Sequence, residues 1–129
     1  MYPKLGKPEN ASVSDWVTIG TVEDVARGQL RGAQLDDLWL AVAALPDGSY
    51  AAFQEWCTHE ECQLSEGDLE DGHITCYCHG ATFDVTTGAV LAGPATEPIE
   101  IYEIRAADGQ LQVQVDAAPE RVRWTEWRL

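Results

Sequence analysis

Two short segments, WCTHEEC at residues 56–62 and CYCHG at residues 76–80, hold all four cysteines of this 129-residue chain and two of its three histidines. Whatever fold the chain adopts has to satisfy both at once. They read as Cys57-x-His59, then sixteen intervening residues, then Cys76-x-x-His79. Four cysteines could form two disulfides in a secreted protein or serve as metal ligands in a cytoplasmic one. The N-terminal stretch MYPKLGKPENASV has no apolar signal core and no twin arginine, and no apolar run approaches the roughly 20 residues that cross a bilayer. A soluble cytoplasmic protein is expected, and with imidazoles beside the thiols, metal ligation is favoured.

The rest of the chain reads as one all-β domain, because short apolar runs alternate with turn signals. Residues 1–12 form an N-terminal arm, residues 13–116 the domain, with metal-binding loops at about 55–95, and residues 117–129 a tail. Strands are expected at 16–19, 38–45, 50–56, 73–77, 83–85, 89–91, 99–104 and 111–115. LWLAVAAL, residues 38–45, is apolar on both faces and suits a buried strand. Leu111, Val113 and Val115 alternate with Gln110, Gln112 and Gln114, which describes a strand with one wet face. Asp108 with Gly109 is a hairpin turn, Asp71 with Gly72 opens the strand at 73–77, and Thr87 with Gly88 is a further turn. Between 99 and 104 the apolar phase changes, which predicts a bulge. In the tail, Val122, Trp124 and Trp127 could share one face of a short helix, with the tryptophans packed on the sandwich. An antiparallel β-sandwich or partial barrel carrying a subdomain of two metal-binding loops fits best.

Both ligand-bearing segments follow a predicted strand, so two loops each offer one thiolate and one imidazole. A single tetrahedral zinc is one solution, since Cys₂His₂ is a closed structural set. A two-iron cluster is the other, with two thiolates on one iron and two imidazoles on its neighbour. Paired zinc ligands are usually separated by two to four residues, and Cys57-x-His59 has one. Side chains i and i+2 of an extended segment point the same way and rarely close on one ion, but they can reach adjacent irons. The spacing favours the cluster.

C-T-H followed by C-x-C-H-G and a Gly93-Pro94-Ala95 loop resembles the Rieske [2Fe–2S] proteins over roughly residues 16–115. The resemblance implies one [2Fe–2S] cluster, with Cys57 and Cys76 on the buried iron and His59 and His79 on the outer one. It also implies that Gly93-Pro94-Ala95 is the loop covering the cluster. Respiratory Rieske proteins carry C-T-H-x-x-C and C-x-C-H with the two extra cysteines joined, so it implies a Cys62–Cys78 disulfide. Those proteins follow C-x-C-H-G with Ser, then Tyr two residues on, whose hydroxyls donate to the cluster sulfurs; here the positions hold Ala81 and Phe83. Hydrogen bonds to charged groups are worth about 1.5–3 kcal/mol each, and 59 mV corresponds to about 1.4 kcal/mol for one electron. Losing two would lower the potential by at most about 100–250 mV, so the chain should lie toward the low end of the Rieske range.

A low-potential, single-domain Rieske protein resembles the ferredoxin component of aromatic-ring-hydroxylating dioxygenase systems. That implies an electron carrier rather than an enzyme, taking single electrons from an NAD(P)H-dependent flavoprotein reductase and passing them to a terminal oxygenase. The oxygenase itself is excluded, because a non-haem iron needs two histidines and a carboxylate, and only His73, read as an exposed turn residue, remains. A Rieske subunit of another oxidoreductase complex, arsenite-oxidase-like or respiratory, is the alternative; a zinc-stabilised binding module is a more distant one.

Charge agrees with a protein partner. Residues 9–120 carry three arginines against 21 acids, whereas Arg121, Arg123 and Arg128 lie in the last nine positions, and the net charge is −14. Such a surface repels nucleic acid and anionic membrane and steers toward a basic partner. Glu60, Glu61, Glu66 and Asp68 lie between the metal-binding loops, either as solvated loop charge or as partner contacts. Trp56 is expected in the core.

Overall fold

Strand β1 (Asp15–Thr21) opens the chain and is followed by β2 (Leu30–Leu35), β3 (Leu38–Ala44) and β4 (Tyr50–Gln54). The loop-bearing half contains β5 (Asp68–Glu70), β6 (His73–Thr75), β7 (Thr82–Asp84) and β8 (Val90–Ala92). The chain then returns through β9 (Ile101–Tyr102), β10 (Ile104–Ala107), β11 (Gln110–Val115) and β12 (Val122–Trp124). Two 3₁₀ turns, Val22–Asp24 and Leu64–Glu66, are the helical elements among the described residues. The structure is a computed structural model and describes residues 15–58, 62–115 and 119–125. No helix among them is long and apolar enough to cross a membrane.

The strands form three antiparallel sheets, in the orders β1-β11-β10, β12-β2-β3-β4-β9 and β5-β6-β7-β8. No sheet closes into a barrel. Two cores result, and β3 serves both. Leu40, Val42 and Ala44 point into one core with Leu111, Val113 and Val115 of β11. Ala41, Ala43 and Leu45 point into the other, where they meet Phe53, Leu64, Ile74 and Phe83. A strand between two cores has no solvent face, which is why LWLAVAAL lacks alternation. β11 does alternate, because only one of its faces meets a core.

The Asp108-Gly109 hairpin turn is as expected, and Asp71-Gly72 proves to be one as well, joining β5 to β6. Asp71 and Gly72 have φ of 53° and 79°, and Asp108 and Gly109 have 54° and 78°. Two consecutive positive φ values define the type I′ turn, whose twist matches the strands it joins.

Three expectations change. The phase shift at 99–104 is not a bulge within one strand. β9 pairs with β4 and β10 pairs with β11, so the chain changes sheet at Glu103 and its buried side changes with it. The tail is not helical at 122–124 but a strand, with Trp124 opposite Ala33 and the Thr125 N–H donating to the Gly32 carbonyl at 2.8 Å. Strand β2 was not foreseen, because LRGAQL has neither clean alternation nor a β-branched residue. It exists because it bridges β3 and β12.

Trp124 packs on the sandwich as expected. A Cβ on Gly20 would lie 2.7 Å from its indole, so a bare backbone is needed there. The Arg31 guanidinium stacks 4.9 Å from its ring centroid, and its indole N–H donates to the Asp24 carboxylate. Trp127 lies outside the described residues.

Candidate metal centre

The first loop leaves β4 through Glu55 and Trp56. It closes on itself where the Cys57 N–H donates to the Cys62 carbonyl at 2.9 Å, and Trp56 and Gln63 form an isolated β-bridge. The second loop leaves β6 and closes twice: Cys76 N–H to Ala81 C=O at 2.7 Å, and Gly80 N–H to Cys76 C=O at 3.0 Å. The hairpin β6–β7 carries it, with Ile74 opposite Phe83. Gly80 turns the chain at a φ of 83°, a conformation side-chain-bearing residues rarely adopt.

A Cys62–Cys78 disulfide joins the loops, with Cα atoms 6.4 Å apart. Cys57 and Cys76 are free thiols, both buried, and their side chains lie within hydrogen-bonding reach of each other. The Cys76 sulfur and those of Cys62 and Cys78 all lie within 4.8 Å of one another. The disulfide engages two of these three sulfurs, so Cys76 is the free thiol of the group. Burial and the neighbouring Cys57 push the Cys76 thiol up, against the backbone N–H groups of Cys78 and His79, which donate to its sulfur and favour the thiolate.

His79 is exposed, whereas both thiols are buried. His59 lies outside the described residues, as do Glu60 and Glu61. The donor set is graded in depth, with buried thiols below and an exposed imidazole above. That suits a group needing sulfur inside and nitrogen at its rim. His73 begins β6, exposed as expected, opposite Asp84.

A third segment braces the loops. The Thr58 hydroxyl donates to the Glu97 carbonyl at 2.7 Å, fastening the first loop to the stretch after Gly93 and Pro94, whose peptide bond is cis. Ala95 of that stretch is buried in the same core as Cys57 and Cys76. Ala81 and Phe83 are fully buried there too.

Trp56 departs from expectation. It is 36 % exposed and leans on Trp39, with ring centroids 5.7 Å apart and a 52° tilt. The apolar residue that enters the core beside it is Phe53. Asp68 is exposed on β5, but Glu66 is not simply solvated: its Oε2 is buried with no hydrogen-bond partner among the described residues.

Glu55 was not foreseen. It is fully buried and accepts bonds from the Ser65 N–H at 2.9 Å and the Ser65 hydroxyl at 2.6 Å. Burial, with the nearby Glu66 carboxylate, pushes its carboxyl up from the usual 4.5 to about 7, against the two Ser65 bonds. This pair ties the root of the first loop to the 3₁₀ turn Leu64–Glu66. An acid immediately before Trp-Cys carries no sequence signal of burial.

The Rieske [2Fe-2S] domain matches residues 15–103, and the chain belongs to that family of iron–sulfur proteins. Within it the chain is similar to ferredoxin components of aromatic dioxygenase systems. It is 32 % identical to the anthranilate 1,2-dioxygenase ferredoxin subunit of Burkholderia cepacia over 81 % of this chain and 96 % of that one. It is 31 % identical to the naphthalene 1,2-dioxygenase ferredoxin component of Pseudomonas putida, over 78 % and 94 %. Among solved structures, a chain from the complex of reduced oxygenase and oxidized ferredoxin in carbazole 1,9a-dioxygenase superposes with a TM-score of 0.71 at 31 % identity, covering 75 % of this chain and 99 % of that one.

Proposed function

We propose that this protein is a cytoplasmic one-electron carrier that takes electrons from an NAD(P)H-dependent flavoprotein reductase and delivers them to the terminal oxygenase of an aromatic-ring dioxygenase system. Cys57 and Cys76 hold the inner iron of a single [2Fe–2S] cluster, and His59 and His79 hold the outer one. The observation that carries the reading is the pair of buried thiols, Cys57 and Cys76, within hydrogen-bonding reach of each other, with His79 exposed three residues on. When bound, such a cluster supplies a reversible one-electron couple, at about −150 to +300 mV for Rieske centres.

The residues around it do the rest. The N–H groups of Cys78 and His79 donate to the Cys76 sulfur and offset the cost of burying its charge. Thr58 and Ala95 hold the covering segment against the first loop, keeping water from the sulfur side. His79, at the exposed edge, faces whichever partner docks. A chain with net charge −14 is steered toward basic partner surfaces, so raising salt slows its reduction by the reductase. A salt-independent rate would count against that docking.

The disulfide is the observation that favours a second reading, a Rieske subunit of an arsenite-oxidase-like or respiratory complex. An EPR-monitored redox titration separates the two. A Rieske signal with a midpoint near −150 mV supports the dioxygenase ferredoxin. A midpoint well above zero supports the complex subunit, and a colourless protein with no signal overturns both.

A further inference from the structure

The closeness of Cys76 to the interloop disulfide bears on what happens when no cluster is present. Cys76 is a free thiol, yet its sulfur lies within 4.8 Å of both Cys62 and Cys78. At that separation a modest rotation of one side chain brings a thiolate onto a disulfide sulfur. Cys57 is also within hydrogen-bonding reach of Cys76. All four sulfurs therefore form one relay, with a disulfide at one end and a thiol at the other. Thiol–disulfide exchange needs only a thiolate with access to a disulfide sulfur.

We propose that the cluster locks the disulfide pairing, and that in the cluster-free chain Cys76 attacks the Cys62–Cys78 bond and moves it onto the ligand cysteines. In the first step the Cys76 thiolate forms a bond to the sulfur of Cys62 or Cys78, and the old bond breaks. The displaced sulfur leaves as a thiolate and takes up a proton from water, replacing the one Cys76 released. In the second step Cys57 attacks the Cys76 sulfur, forming Cys57–Cys76 and freeing the remaining cysteine. One disulfide and two thiols enter, and one disulfide and two thiols leave, so no oxidant or reductant is consumed. The product has lost both thiolates that hold the inner iron.

The backbone bonds that close each loop keep the sulfurs assembled without the cluster. These are Cys57 N–H to Cys62 C=O at 2.9 Å and Gly80 N–H to Cys76 C=O at 3.0 Å. Iron on Cys76 removes the nucleophile, so the loaded protein keeps its native pairing. Loss of the cluster would then be self-sealing: a chain that has exchanged cannot reload until a thiol reductant reopens it.

The inference rests on the assignment of Cys57 and Cys76 as the cluster's thiolates, and the experiment tests the two separately. Purified cluster-loaded protein is stripped with an iron chelator in oxygen-free, thiol-free buffer and desalted at once to remove the sulfide the cluster releases, which would itself attack a disulfide. It is sampled over minutes to hours, the span of uncatalysed disulfide rearrangement, then quenched in acid and alkylated, and its disulfides are mapped by peptide mass spectrometry. A loaded sample and a stripped sample held in guanidinium run alongside. In the loaded protein Cys62–Cys78 should persist, and in a second loaded sample, alkylated while folded and quenched only afterwards, Cys57 and Cys76 should stay unmodified. In the stripped protein more than half of that pairing should be lost, replaced by bonds that contain Cys76. Stripped protein that keeps Cys62–Cys78 throughout overturns the relay and leaves the ligand assignment standing. A product distribution matching the guanidinium sample overturns it as well, because the exchange would belong to the unfolded chain. Free alkylation of Cys57 and Cys76 in that folded, loaded sample overturns both the ligand assignment and the lock.

Discussion

Replacing Glu55 with Gln should make the protein more stable at alkaline pH and leave it nearly unchanged in mild acid. The buried carboxyl binds its proton more tightly in the folded state, where it titrates at about 7, than in the unfolded state, where the ordinary 4.5 applies. A group raised in this way contributes stability that is fully present below the unfolded value and is lost as pH rises through the folded one. The shift from 4.5 to about 7 is roughly 2.5 pH units, and at 1.36 kcal/mol per unit the loss is about 3 kcal/mol, as an order of magnitude. For a domain of this size 1 kcal/mol moves the melting temperature by roughly 4 °C, so the loss corresponds to about 10 °C. Gln preserves both contacts: its carbonyl accepts from the Ser65 N–H and its amide donates to the Ser65 hydroxyl, in place of the two bonds Glu55 now accepts. Its charge does not change with pH. Thermal unfolding of the loaded Glu55→Gln and wild-type proteins, followed by far-UV circular dichroism from about pH 5 to pH 8.5, checks this. Apart from Glu66, whose carboxylate acts on Glu55, other ionisable groups and the cluster act alike in both proteins and cancel in the difference. The wild type should fall behind the variant across the neutral range; two parallel pH profiles would refute the reasoning.

The pair Ala81→Ser and Phe83→Tyr, both at fully buried positions in the core of Cys57 and Cys76, should raise the midpoint potential by at most about 100–250 mV, read by redox titration; an unmoved midpoint would show that these positions do not reach the cluster. Trp124→Ala removes the indole that packs on Gly20, stacks under Arg31 and donates to Asp24. Because that ring is only partly buried, a loss of about 2–3 kcal/mol is expected, below the full core range, measured by denaturant unfolding. Gly88 has a φ of 84°, and a Cβ there would press on the Ile99 carbonyl. Gly88→Ala should therefore cost at least about 1–2 kcal/mol from the left-handed backbone alone, and a melting temperature within error of wild type would contradict it.

The sequence was most readable where a single local cause fixes the outcome. The Asp-Gly turns need two positive φ values whatever surrounds them, and β11 alternates because one face meets one core. Cys57 and Cys76 could be paired across eighteen intervening residues because a thiol next to an imidazole has few structural uses. What stayed hidden depends on distant neighbours. β2 is a strand only because β3 and β12 flank it, and β12 is a strand rather than a helical turn only because β2 offers it an edge. The change of sheet at Glu103 was visible as a phase shift, but a phase shift does not say whether a strand bulges or leaves. Glu55 was invisible for a different reason: its burial depends on Ser65, ten residues away, and on a turn whose position no local signal sets.

The double allegiance of β3 also limits how the molecule could be cut or grafted. The loop-bearing half, taken as a separate piece, would lose the wall formed by Ala41, Ala43 and Phe53. The remaining half would expose those same side chains to water. Neither fragment can close its own interior, so the loops are not a cassette to be transplanted onto another β scaffold. Any host would have to supply a strand that is apolar on both sides, placed with its second face already occupied.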